Sequence, residues 1–180
     1  MHEAARQIRL LVMDVDGVLT NGEIIYSESG EEVKVFSILD GLGIVASQKV
    51  GLLTAIITGR ITAAVQRRAS ELGITHVCQG CQDKSVAMKA LIKELGLRKE
   101  EVAYVGDDLN DIPAFREAGW KIAVSNASND LKALADYVTQ ERGGRGAVRE
   151  VIEIILQSQG KWTSAVEKYL KYLEQSECQT

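Results

Sequence analysis

Short apolar runs alternate along the chain with amphipathic stretches of about ten residues. The apolar runs predict buried strands, and apolar positions spaced three or four apart predict helices. The pattern predicts strands at 8–13, 52–57, 74–78, 102–105 and 121–124, and helices at 61–72, 84–96, 111–119, 128–136 and 147–159. Since strands alternate with helices, we expect an α/β fold, with a Rossmann-like, doubly wound parallel sheet covered on both faces.

Two segments depart from this alternation. Residues 22–37 carry β-branched and aromatic residues on both sides of a polar turn that contains Gly30, which predicts a β-hairpin after the first strand. Residues 160–180 form a weakly amphipathic tail. With 180 residues, one proline and no linker-like stretch, we expect a single domain over 1–180.

Composition excludes several classes of protein. The apolar runs are too short to span a bilayer, and residues 1–10 lack the apolar core of a signal peptide, so we expect a cytoplasmic protein with no membrane partner. The formal net charge of −4 gives no basic footprint for nucleic acid. Cys78 and Cys81 lack the further ligand pair of a zinc site, and we expect ordinary reduced thiols; a redox pair is the alternative.

Polar side chains cluster where the predicted strands end. Parallel sheets bind ligands at the carboxyl ends of their strands, so these residues are expected to meet in one crevice. They comprise Asp14 and Asp16 after the first strand, Thr58, Gly59 and Arg60 after the second, Lys84 at a helix start, and Asp107, Asp108 and Asp111 after the fourth.

The chemistry of these side chains suits phosphoryl transfer. Crowded carboxylates need a positive centre, and Mg²⁺ prefers oxygen ligands and keeps waters that phosphate oxygens replace. The Thr58 hydroxyl and Lys84 suit a phosphoryl group, while an aspartate nucleophile needs no activating base. The chain has no P-loop motif and no Cys-x5-Arg loop. A phosphate-accepting receiver domain of signalling remains an alternative, although it has no need of an acid/base such as Asp16.

The motifs "DVDGVLT", "TGR", Lys84 and "GDDLND", in this order, resemble those of the haloacid dehalogenase (HAD) superfamily. Nearly the whole chain, including "GEIIYSESGEEVKVFSILDGLGI" and "RGGRGAVREVIEIILQSQGKW", resembles the family of 3-deoxy-D-manno-octulosonate 8-phosphate (KDO 8-phosphate) phosphatases. The resemblance implies a HAD fold and a cytoplasmic enzyme of lipopolysaccharide biosynthesis that uses Mg²⁺ to hydrolyse KDO 8-phosphate. Because only 26 positions separate Thr58 from Lys84, no cap domain fits between them.

The resemblance also implies the roles of the site residues. Asp14 would be the nucleophile and a Mg²⁺ ligand. Asp16 would be the acid/base and bind Mg²⁺ through its backbone carbonyl, and Asp107 would be the third protein ligand. Thr58 and Lys84 would hold the phosphoryl oxygens. Asp108 and Asp111 would orient the metal waters and Lys84, and the substrate would be lined by Asp16, Ser37, Ile38, Leu39, Asp40, Gly41, Gly59, Arg60, Arg68, Lys84 and Asn110.

Two positions depart from the family pattern. Leu39 stands where many members carry arginine, and Asn21 where many carry aspartate. A phosphatase of a nine-carbon sugar-acid phosphate is therefore the alternative within the same class. An uncapped site is open to water, so we expect a homo-oligomer, a tetramer by the resemblance, that packs through its hairpins.

Overall fold

The computed structural model describes residues 3–177, in which eight strands, seven α-helices and three short 3-10 helices follow one another along the chain. The strands are β1 (Leu10–Met13), β2 (Ile25–Tyr26), β3 (Glu32–Val33), β4 (Leu53–Ile57), β5 (His76–Cys78), β6 (Val102–Gly106), β7 (Trp120–Ala123) and β8 (Tyr137–Val138). The helices are α1 (Ile38–Gln48), α2 (Ala63–Glu71), α3 (Lys84–Glu94), α4 (Ile112–Phe115), α5 (Asn129–Lys132), α6 (Ala147–Ser158) and α7 (Trp162–Glu177).

Six strands form one parallel sheet in the order β5-β4-β1-β6-β7-β8, which confirms the predicted α/β class. β1 lies inside the sheet, between β4 and β6, and all four of its residues are buried. A strand buried on both faces needs a continuous apolar sequence, and "LLVM" supplies it. The loops that follow β1, β4 and β6 therefore leave the same edge of the sheet side by side.

Helices cover this sheet as predicted, although the ranges predicted as helices did not include α1 and α7. α1 packs against α6 and α7, and α3 packs against α4. The face of α6 that points to the core carries Val148, Val151, Ile152 and Ile155, all fully buried. Within residues 3–177, no helix is long and apolar enough to cross a membrane.

The second sheet is the hairpin formed by β2 and β3. It is shorter than the predicted 22–37, because only Ile25 with Val33 and Tyr26 with Glu32 pair in antiparallel register. Between Asp14 and β4 the chain adds only this hairpin and α1, so no separate cap domain is present in the described part of the chain.

Cys78 and Cys81 form a disulfide, so the expectation of two reduced thiols was wrong. Cys78 is the last residue of β5, and Gly80, with a φ of +73°, turns the chain back on itself. The turn brings the two Cα atoms to 6.5 Å, a separation that a disulfide spans. The alternative given from the sequence, a redox pair, is the one compatible with this bond.

Candidate active site

The buried centre of the site is an ion triad. Lys84, the first residue of α3, is 1% exposed, and its Nζ lies 2.8 Å from Asp14 Oδ2 and 2.6 Å from Asp111 Oδ1. Asp83 caps α3 by accepting a hydrogen bond from the Ser85 N–H, and so fixes where the helix begins. The three residues come from the ends of β1 and β6 and from the helix after β5, so the fold brings together positions up to 97 residues apart.

Both oxygens of Asp111 are already occupied by donors. Oδ1 accepts from Lys84 Nζ and from the Tyr104 hydroxyl at 2.7 Å, and Oδ2 accepts from the backbone N–H groups of Asp107 and Asp108. A carboxylate with four donors has little capacity left for another ligand. Asp111 therefore holds Lys84 in place, and Tyr104 supports it, a contact that the sequence did not indicate.

Asp107 lies directly against the loop after β1. A Cβ atom at Gly17 would come within 2.0 Å of Asp107 Oδ2, and Gly17 has a φ of +85°. Only glycine fits both the conformation and the close approach. The glycine of "DVDG" thus allows the carboxylates of Asp14 and Asp107 to share one site, where one oxygen of each lies within 4.8 Å of the other and of an Asp111 oxygen.

Burial and like charges shift the protonation of this cluster. Burial, reinforced by the charge of Asp111, raises the pKa of Asp14 to about 7. Burial and the charges of Asp111 and Asp14 raise the pKa of Asp107 to about 8. Burial lowers the pKa of Lys84, but the charges of Asp14 and Asp111 outweigh it and the net shift is upward. The site therefore stabilises a positive centre beside two carboxylates that resist ionisation together.

Thr58 is buried at the end of β4, next to this cluster in the sheet. Its N–H donates to the Cys78 carbonyl at 2.9 Å, and its hydroxyl oxygen accepts from the Arg60 N–H at 3.4 Å. Since that N–H donates to the hydroxyl oxygen, the hydroxyl can donate its own hydrogen to a ligand. Gly59 completes this turn between Thr58 and Arg60.

A second charged network covers the more exposed side of the site. Asp16 forms an ion pair with Lys34 of the hairpin, and Lys34 Nζ also lies 2.7 Å from Glu32 Oε1. Arg60 Nη2 donates to Glu32 Oε2 at 2.6 Å, and its Nε lies 4.0 Å from Asp16 Oδ2. The hairpin is thus tied to the loops after β1 and β4 through charge.

The sequence reasoning missed Lys34 and Glu32. They are two residues apart in "EEVKVF", so their side chains lie on the same face of an extended strand. Two charged residues with this spacing are a sequence signal for a face that contacts charged partners. The side chain of Lys34 is only 2% exposed, so it is buried against Asp16 and Glu32.

Asp40, predicted to contact the sugar, is buried elsewhere. Its Oδ1 accepts from the Arg149 N–H at 2.9 Å and its Oδ2 from the Gly146 N–H at 3.3 Å. These N–H groups lie at the start of α6, where the N-cap residue Gly146 has no side chain to accept a hydrogen bond from them. The carboxylate caps α6 and is 1% exposed, so a contact between Asp40 and a sugar has no support in this structure.

Other predicted sugar-lining residues pack at the start of α1. Arg68 Nη2 donates to the Ser37 carbonyl at 3.4 Å, and a Cβ at Gly41 would come within 2.3 Å of the same nitrogen. Ser37, Asp40, Gly41 and Arg68 line a cavity of about 10 Å³, which is too small for a sugar. Exposed positions comprise Ile38 and Leu39 on the first turn of α1, and Asp108 and Asn110 after β6.

Comparison with known proteins identifies the family. The model of haloacid dehalogenase-like hydrolases matches residues 75–152. The chain is 47% identical over 161 residues to the 3-deoxy-D-manno-octulosonate 8-phosphate phosphatase of Escherichia coli K12, an alignment that covers 89% of this chain and 86% of that protein. The chain belongs to the KDO 8-phosphate phosphatase family. The member from Yersinia pestis is 46% identical over 163 residues, covering 91% of this chain and 87% of that protein.

Solved structures of family members share the fold. The KDO 8-phosphate phosphatase of Moraxella catarrhalis, solved with a magnesium ion, a phosphate ion and KDO, has a TM-score of 0.89 and 47% identity, over 93% of this chain and 96% of that one. The cobalt-bound enzyme of Haemophilus influenzae has a TM-score of 0.85 and 39% identity, over 88% and 93%. Family membership favours the phosphatase hypothesis over the receiver domain and confirms the expected HAD fold.

Proposed function

We propose that this protein is a Mg²⁺-dependent phosphatase that hydrolyses KDO 8-phosphate to KDO and phosphate in lipopolysaccharide biosynthesis. One observation carries the chemistry: the buried carboxylate of Asp14 lies 2.8 Å from Lys84 and shares its site with Asp107 at the carboxyl edge of the sheet. The substrate follows from the family, since the Moraxella catarrhalis relative binds a magnesium ion, phosphate and KDO.

The donor set fits Mg²⁺. We assign as ligands the carboxylates of Asp14 and Asp107, because Asp111 is already saturated by donors, and the backbone carbonyl of Asp16, which follows from the family resemblance. The raised pKa values of Asp14 and Asp107 are those of a carboxylate pair that needs a cation to ionise fully. When bound, Mg²⁺ supplies charge neutralisation and polarises a phosphoryl oxygen.

The residues of the chain divide the reaction between them. The Asp14 carboxylate attacks phosphorus, the bond between phosphorus and the sugar oxygen breaks, and Asp16 donates a proton to that oxygen. Asp16 then takes a proton from water, which attacks phosphorus and breaks its bond to Asp14, releasing inorganic phosphate. Lys84 and the Thr58 hydroxyl hold the phosphoryl oxygens throughout, while Asp111 fixes Lys84. Asp108 would orient water molecules on a bound Mg²⁺.

The charged network on the more exposed side of the site is where we expect the sugar part of the substrate to bind. Arg60 is 40% exposed, beside Asp16, so its guanidinium is within reach of a ligand that enters the site. We propose that Arg60 meets the sugar carboxylate and that Gly59 and Asn110 border it. The exposed Ile38 and Leu39 at the start of α1 would contact its carbon chain, whereas roles for Ser37, Gly41 and Arg68 require the start of α1 to shift.

Phosphate release tests this function directly. KDO 8-phosphate and a nine-carbon sugar-acid phosphate are each incubated with the protein, with Mg²⁺ and with a chelator. We expect Mg²⁺-dependent release with the higher kcat/KM for KDO 8-phosphate and none from D14N. A higher kcat/KM for the nine-carbon compound would contradict the substrate, and equal release with the chelator would contradict the metal.

We also propose one domain over 1–180, a cytoplasmic location and assembly of identical subunits, a tetramer, through the hairpin. The hairpin exposes a group of apolar side chains, and such a patch supports a protein–protein interface. Its residues, which are 43% to 63% exposed, are Ile24, Ile25, Tyr26, Val33 and Val35. Subunits that cover this patch would also shield the uncapped site from water.

A further inference from the structure

The disulfide between Cys78 and Cys81 lies beside the catalytic residues, yet the proposed reaction does not use it. Cys78 ends β5, and Cys81 stands three residues before Lys84. The loop from Cys78 to Asp83 is therefore the whole connection between the edge strand β5 and the buried lysine of the site.

This loop also supports Thr58. The Thr58 N–H donates to the Cys78 carbonyl at 2.9 Å, and the Cys81 N–H donates to the Thr58 carbonyl at 3.0 Å. The backbone of Thr58 is thus bonded to both half-cystines, one on each side.

Two further hydrogen bonds continue the contact along the "TGR" loop. The Gly80 N–H donates to the Arg60 carbonyl at 3.3 Å, and the Thr62 N–H donates to the Gln79 side chain at 2.8 Å. Every residue from Cys78 to Cys81 thus contributes to holding residues 58–62. The disulfide closes the loop that makes these contacts.

We infer that Cys78 and Cys81 form a redox-modification site that exchanges with low-molecular-weight thiols and disulfides of the glutathione class, and that the disulfide form is the more active phosphatase. Both cysteines are half-buried rather than fully enclosed, unlike the buried Thr58 and Lys84 that they support. The part of this inference that concerns activity rests on the proposed function.

The exchange balances as ordinary thiol–disulfide chemistry. In reduction, the thiolate of one glutathione attacks a sulfur of the pair, the bond between the two cysteines breaks, and a mixed disulfide forms. A second glutathione releases the remaining protein thiol, so the pair gains two electrons and two protons while two glutathiones become glutathione disulfide. Oxidation by glutathione disulfide is the reverse.

The direction of the effect follows from what the closed loop holds. In the disulfide form Lys84 contacts Asp14 and Asp111, and Thr58 is bonded to both sides of the loop. Opening the bond removes the covalent closure of the turn before α3 and leaves hydrogen bonds and packing against the core to fix it, so Thr58 and Lys84 become less well positioned. Small displacements of positioned groups lower rates steeply, and we expect reduction to lower kcat/KM about three- to tenfold.

The test uses the full chain with C178S, which removes the third cysteine of the sequence. The protein is equilibrated in glutathione buffers of different ratio, and alkylation followed by mass measurement counts free thiols. We expect reversible change between no free thiols and two, and faster hydrogen exchange at 58–62 and 79–84 in the reduced form. Thiols that stay free at every ratio, or equal exchange in both forms, would overturn the site.

Activity toward KDO 8-phosphate is measured on the same samples. The matched control is C78S/C81S in the same background, which cannot close the loop; we expect it to match the reduced form and to ignore the buffer ratio. Equal kcat/KM in both redox forms would overturn the inference alone. A protein that changes thiol count and exchange but releases no phosphate in either form would contradict the proposed function and leave the redox site standing.

Discussion

Lys84 is buried between the carboxylates of Asp14 and Asp111, and its position determines the balance of charge in the site. Asp14 and Asp111 raise its pKa against the effect of burial, so the ammonium persists at neutral pH. The same ammonium lowers the pKa of Asp14, but burial and the charge of Asp111 outweigh it, and the net pKa is about 7. A nucleophile must be ionised to attack, so Lys84 contributes to the reaction by favouring the ionised form of Asp14 as well as by binding the phosphoryl group.

Replacing Lys84 by methionine keeps the length of the side chain and removes its charge. We expect kcat to fall by about 10²- to 10³-fold, because a buried donor to the transferred phosphoryl group is lost. Steady-state phosphate release from KDO 8-phosphate measures this change in kcat. K89M is the control, since Lys89 lies on the same helix but is 64% exposed and pairs with Glu117; an equal loss in K89M would contradict the assigned role.

The raised pKa values of Asp14 and Asp107 predict how stability changes with pH. Folding raises the pKa of Asp14 from 3.8 to about 7 and that of Asp107 from 3.8 to about 8. The folded protein therefore keeps these two carboxyls protonated at pH values where the unfolded chain, which releases the protons near pH 4, does not. Without metal, this contribution to stability is therefore present at low pH and is lost as pH rises through the folded values.

Mg²⁺ binding should show the opposite trend, because the ion displaces those protons. Its affinity should rise by up to about tenfold per pH unit for each proton displaced, between about pH 5 and about pH 8. Thermal unfolding with Mg²⁺ and with a chelator measures the shift in Tm at each pH. D107N, which removes one titrating ligand, should flatten the trend, and a Tm shift equal at about pH 6 and about pH 8.5 would refute the assignment.

At the residue scale the sequence predicted the ion cluster well, because strand-end aspartates and a helix-start lysine are local features of a pattern. Lys34 and Asp40 show where such reasoning stops. Their partners are Asp16, 18 positions away, and the Gly146 and Arg149 N–H groups, more than 100 positions away. Such pairings depend on tertiary contacts that no local spacing encodes.

At the element scale the core strands and the helices α2, α3 and α6 were predictable, whereas α1, α7 and the two-residue strand β8 were not assigned from the pattern. β1 and β6 are continuous apolar runs buried on both faces, which gives a strong signal. β8 has two residues and exists because it pairs with β7. α4 ends at Phe115 rather than near residue 119. The Gly119 N–H instead donates to the Val102 carbonyl, and the chain enters β7 at the next residue.

The cap on α6 gives a prediction at this scale. D40A removes a buried carboxylate that accepts from the Gly146 and Arg149 N–H groups, leaving those donors without a partner. We expect the free energy of unfolding in urea to fall by about 1–3 kcal/mol. D40N keeps one oxygen and should lose less. D130A is the control, because Asp130 is exposed on α5 and its loss should change stability by under about 0.5 kcal/mol; equal losses in both would exclude the capping role.

At the scale of the whole molecule, the hairpin joins the active site to the proposed subunit interface. Lys34 and Glu32 face inward to Asp16 and Arg60, while Val33 and Val35 are 44% and 61% exposed. Alternation along an extended strand sends successive side chains to opposite sides. One short segment thereby places ions over the reacting groups and apolar side chains toward a neighbour, so assembly and catalysis should respond together.

Ile25→Asp tests that connection, because it puts a charge in the exposed apolar patch without touching the ion network. We expect sedimentation at micromolar concentration to show a tetramer for the unmodified chain and a smaller species for I25D, with a raised KM from the more open site. V86D is the matched control, since Val86 is 63% exposed on α3, outside the hairpin, and its variant should assemble normally. An unmodified chain that sediments as a monomer would contradict the assembly, and an I25D monomer with unchanged KM would show that the neighbour does not contribute to the site.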